Sequence, residues 1–175
     1  MDAGLSSLIG PRLKLPVLVL VALLVHAQLL PDVRVAGVQP DLMLLVAVAG
    51  GIAAGPSAGA VLGFSVGLLA DLLFLETPLG LSAMVFCLVG YGVGLLQAGV
   101  LRASWWLPIV TSLVACAAGE VLFALVGALF GERQLVTGRL LLVAGVVGLL
   151  DAAMAVVVVP LVRGAFRSPH ARAYA

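Results

Sequence analysis

The 175-residue chain is 63% hydrophobic and only 10% charged, with a net charge of +1 and a mean hydropathy of +1.29. Soluble domains carry about 25% charged residues, so this composition excludes a soluble globular fold and makes lipid the expected solvent. The near-neutral balance offers no basic surface for nucleic acid, and Cys87 and Cys116 lie in apolar runs without metal-ligand or redox spacing.

The length fits a single transmembrane domain over residues 1–175, all-α, with six helices in one bundle and short cytoplasmic tails at about 1–14 and 163–175. The first expected span, Leu15–Leu30, follows Arg12 and Lys14 and contains Val25-His26-Ala27, a layout that resembles a cleavable signal. Further spans follow at once, so it is read as an uncleaved helix. The second, Asp41–Ala54, makes a helix of about 21 Å against a hydrocarbon core of about 30 Å, which leaves open whether it crosses or re-enters. Gly55-Pro56 must turn the chain, because one helix from Asp41 to Leu75 would run about 52 Å. The remaining spans are Ser57–Leu75, Leu79–Leu96, Trp105–Phe130 and Arg139–Val162.

Basic residues orient the spans, since cytoplasmic segments are enriched in Lys and Arg. Six spans with both termini inside place Arg12, Lys14, Arg102, Arg163, Arg167 and Arg172 inside, against Arg34, Arg133 and Arg139 outside. Five spans reduce the balance to four against five. Trp105 and Trp106 beside Arg102 read as an interfacial anchor at the cytoplasmic start of the fifth span. The connections are short, so function must reside in helix faces and tight loops.

The third span carries a ladder. Gly55, Gly59, Gly63, Gly67 and Asp71 recur every fourth residue, which lays them along one slowly drifting helical stripe. Small-xxx-small spacing lets backbones approach closely in lipid. The stripe can pack against helices of the same chain or dock a partner protein's helix, and the spacing does not separate the two. Gly90 with Gly94, and Gly127 with Gly131, repeat the pattern more briefly. Asp71 falls about 6 Å from the outer end of its helix, where it can reach water or cap the Glu76-Thr77-Pro78 turn.

Glu120 and Asp151 lie deeper, at about 15 Å and 18 Å from the outer ends of the fifth and sixth spans. They can face one another, in which case both cannot ionise cheaply, or bond to separate backbone partners. His26 and Gln28 can complete a polar cluster toward the outer leaflet. His26 with Asp71 holds a metal only if a third ligand converges, and none is signalled, so no metal or cofactor is expected. No nucleophile elbow, zinc helix, phosphate loop or dinucleotide fingerprint occurs, which points away from an enzyme.

Several segments resemble a known family when taken in order. They are Pro40-Asp41-Leu42 opening a helix, the Gly59, Gly63 and Gly67 ladder running into Leu68-Leu69-Ala70-Asp71, Pro78-Leu79-Gly80-Leu81, Val89-Gly90-Tyr91, and Leu150-Asp151-Ala152 through Pro160-Leu161-Val162-Arg163. Over about residues 40–163 they resemble the rod shape-determining protein MreD family. The resemblance implies a six-helix component of the bacterial elongasome in the inner membrane, with a bundle similar to the substrate-binding subunits of energy-coupling-factor transporters. It implies a scaffold or regulator that binds MreC and works with MreB, RodA and a class B penicillin-binding protein in side-wall peptidoglycan synthesis. No catalytic set comes with it, and self-association as a homo-oligomer is left open. The positions carried over are the Gly59-to-Asp71 motif and the Pro78-Leu79-Gly80 turn. At position 151 the family pattern implies a neutral polar residue such as asparagine, from which Asp151 departs. The rival function is a vitamin-binding subunit of an energy-coupling-factor transporter, with His26, Gln28, Asp71 and Glu120 around a pocket.

Overall fold

The computed structural model describes residues 14–28, 37–74, 78–99, 106–131 and 136–166. Among the described residues there are six helices and no strand: α1 Lys14–Gln28, α2 Leu42–Ala54, α3 Pro56–Leu73, α4 Leu81–Gly99, α5 Leu107–Leu129 and α6 Leu140–Phe166. The basic residues Arg12, Arg34, Arg102, Arg133, Arg167 and Arg172, the anchor Trp105, and Glu76 and Thr77 lie outside the described residues. The last helix continues past Val162, so Arg163 stands within α6.

Turn chemistry sets the helix boundaries. Asp41, expected inside the second span, stands just before it as the N-cap: its Oδ1 accepts from the Met43 and Leu44 amides, each at 3.0 Å. These are amides that the first turn of a helix leaves without an internal partner. At the other end, Gly55 has φ +88°, a left-handed conformation open to glycine, and its N–H donates to the Gly51 carbonyl at 3.0 Å. Pro56 then takes the first position of α3, where a missing amide costs nothing. The chain therefore reverses between α2 and α3 within two residues.

Helix α2 forms the axis of the bundle. It has no polar side chain from Leu42 to Ala54, and a helix apolar on every side belongs in an interior. Eleven of its 13 residues are buried, and it packs against each of the other five helices. Its shortness follows from that position, because a helix sheathed in protein need not match the lipid thickness. Helices α3, α5 and α6 are long and apolar enough to cross a membrane, whereas α1, α2 and the stretch Leu81–Gln97 of α4 are shorter apolar helices. The outer faces stay apolar and exposed, as Val61, Leu125, Leu142 and Leu149 illustrate, which is the surface of an integral membrane protein.

Candidate functional site

Two polar or close-packed constellations stand out, and the glycine ladder builds the first. Gly59, Gly63 and Gly67 all face α4 of the same chain, so the groove considered for a partner's helix is already filled. A Cβ added at Gly63 would meet the Phe86 carbonyl group and, at 3.0 Å, the Cys87 nitrogen; one added at Gly67 would lie 2.6 Å from both the Ala83 Cα and the Ser82 oxygen. Such distances leave no room for a side chain. At Gly59 the neighbours belong to two helices, the Gly90 carbonyl of α4 and, at 2.8 Å, the Gly51 Cα of α2. Gly51, Gly59 and Gly90 thus let three helices meet backbone to backbone. Gly55 does not share this role: nothing lies within 4 Å of a Cβ placed there, and it serves the turn.

Asp71 ends the ladder inside the protein, not at water, with 1% of its surface exposed. Its Oδ2 accepts from the Gly80 amide at 2.9 Å and the Ala83 amide at 3.2 Å, and its Oδ1 accepts from the Ser82 amide at 3.2 Å. The side chain on α3 therefore caps the start of α4. Gly80 makes this possible through φ +94°, which turns its N–H inward, while the Pro78 carbonyl accepts from the Leu81 amide at 3.1 Å.

The second constellation is a group of acids in the interior. Asp151 on α6 is fully buried and lies within electrostatic reach of Asp41, Glu120 and Cys116, and Glu120 on α5 is within reach of Asp41. Asp41, which the sequence marked only as a helix opener, is thus the residue that links the two deeper carboxylates. Its place before an all-apolar helix was the available signal. His26 is within reach of Asp41 and tilts against the Phe74 ring at 5.4 Å between centroids. His26 Nδ1 and Ser112 Oγ are buried without a hydrogen-bond partner, and the buried Asp151 carboxylate forms no close hydrogen bond, having only the Cys116 thiol and the Asp41 backbone near it. His26 and Asp71 do not assemble a ligand set, and no three His, Cys, Asp or Glu side chains among the described residues converge to hold a metal ion. What the acids provide is a polar seam between α2, α5 and α6.

A glycine-packed α3–α4 pair, an acid cap between them and a buried acid seam on an apolar bundle give a membrane architecture. The model of the rod shape-determining protein MreD family matches residues 6–168. The chain belongs to the MreD family. That membership makes it an integral membrane protein of a rod shape-determining family. No curated protein and no solved structure matches this MreD-family chain.

Proposed function

We propose that this MreD-family chain is a non-enzymatic scaffold or regulator of the bacterial cell-elongation complex. In this function it crosses the inner membrane six times, keeps both termini in the cytoplasm and resembles energy-coupling-factor substrate subunits in its bundle. It binds MreC through membrane-helix contacts, and MreB, RodA and a class B penicillin-binding protein act in the same assembly on side-wall peptidoglycan. The family match over residues 6–168 carries this conclusion. Because the glycine ladder is spent on internal packing, partner contacts fall on faces that the bundle leaves exposed, such as Val61, Phe64, Leu68 and Leu72 along α3.

A vitamin-binding subunit needs a concave pocket with a few convergent polar groups. The large crevice between α1, α2 and α6 has apolar walls and none of His26, Asp71, Glu120 or Asp151 among its lining residues. The scaffold is therefore preferred. Tagged protein, extracted gently from native membranes, is expected to retain MreC. Failure to retain it, together with a thermal shift on adding a water-soluble vitamin, would give the transporter subunit precedence.

A further inference from the structure

The crevice that a vitamin does not suit has the shape and charge for another ligand. It is a cavity of about 800 Å³ between α1 and α6, floored by Leu42 and Val46 of α2. The floor is deep, with Leu42 at 4% and Val46 at 1% exposure, while the rim residues Val21, Val157 and Leu161 are all more than half exposed. The crevice therefore opens sideways, toward lipid.

Its length follows from the helices. Along α1 the lining runs from Lys14 to Val25, and along α6 from Met154 to Ala165. Each covers a rise of about 16 Å. The two helices run in opposite directions, because His26 at the end of α1 lies within reach of Asp41 and Asp41 lies within reach of Asp151. Lys14 accordingly stands beside the end of α6, at the opposite end of the crevice from Val25 and Met154. A slot of that length with apolar walls, open along one side to lipid, accommodates flexible acyl chains.

Lys14 is the single charged residue in the lining, and no carboxylate among the described residues pairs with it. A lysine at the end of an apolar slot can lay its methylene stem along the wall and hold its ammonium at headgroup level. We infer that the α1–α6 crevice is a binding site for an anionic phospholipid, with its acyl portion on Leu42 and Val46 and its phosphate at Lys14. The cytoplasmic leaflet, where anionic lipid is concentrated, is the side on which the basic-residue count places Lys14. This site goes beyond partner binding and does not depend on it.

The test uses the purified full chain in nanodiscs doped with photo-reactive phosphatidylglycerol or photo-reactive phosphatidylcholine of the same chain length, with labelled peptides mapped by mass spectrometry. Phosphatidylglycerol is expected to label the α1 and α6 walls several-fold more than phosphatidylcholine does. Lys14→Gln should bring the two lipids to the same yield, and Val21→Trp, at an exposed rim position that tolerates bulk, should lower both by filling the slot. Equal labelling by the two lipids in the wild type would overturn the site, as would labelling spread evenly over outer faces such as Leu125 and Leu142. So would a yield unchanged by Lys14→Gln, or a crevice shielded from both lipids by a co-purifying single-span polypeptide.

Discussion

The carboxylate of Asp71 satisfies three amides at the start of α4 that the helix cannot satisfy from within. Replacing it with alanine leaves those buried donors unpaired, a loss of about 1–2 kcal/mol on the scale of helix caps and buried unsatisfied groups. Asp71→Ala should therefore lower the melting temperature of the purified protein, and Asp71→Asn, which keeps one acceptor oxygen, should lower it less. Equal losses for the two variants would mean that water takes over the cap. Asp151 is the opposite case, fully buried with no close hydrogen bond and only the Cys116 thiol and the Asp41 backbone near its carboxylate. Both acids stand out in the sequence, because a carboxylate in an apolar run is conspicuous. Their surroundings do not, since Asp71 is capped onto residues nine to twelve positions away and Asp151 meets Asp41 from a helix remote in the chain. Lateral helix order is set by tertiary packing, and no local pattern records it.

At the level of elements, the every-fourth-residue spacing of glycines on α3 announces a flat surface but says nothing of what covers it. The same four-residue spacing in Gly90 and Gly94 on α4 was the other half of the contact. Gly90 meets Gly59, and a Cβ at Gly94 would collide with Pro56 and the turn before it. The central position of α2 was equally legible in retrospect, from thirteen residues without a polar side chain. Its length pulled the other way, because matching to lipid thickness is the wrong criterion for a helix that the other helices of the bundle enclose. The glycines divide into two groups with opposite expected behaviour. Gly59→Ala and Gly63→Ala force α3 and α4 apart and should cost about 1–3 kcal/mol, as overpacking does. Gly92→Ala and Gly145→Ala introduce a methyl where nothing lies within 4 Å, and should gain about 0.5–1 kcal/mol from the better helix former. Thermal melts of the four variants in one detergent check both signs. Four similar losses would show that the α3–α4 approach is looser than its backbone contacts require.

For the whole molecule, orientation rests on two unrelated arguments that meet at Lys14 and Arg163. Basic residues favour both ends of the chain on the cytoplasmic side, by six against three. The packing of α1 against α6 independently sets the two helices antiparallel, since His26 neighbours Asp41 and Asp41 neighbours Asp151, which brings Lys14 level with Ala165. Helices α2 and α3 reverse at Gly55-Pro56 whether or not α2 reaches both surfaces, so its shortness does not change the parity of the chain. A fluorescent protein fused after the last residue should therefore light up in the cytoplasm, and alkaline phosphatase inserted between Gly131 and Val136 should be active outside it. Phosphatase activity at the C-terminus would instead require either an inverted bundle with both termini outside or an odd number of crossings. The antiparallel α1–α6 pair makes the second incompatible with α1 and α6 both crossing, and a reporter at the N-terminus separates the two, since only the inverted bundle puts both ends outside.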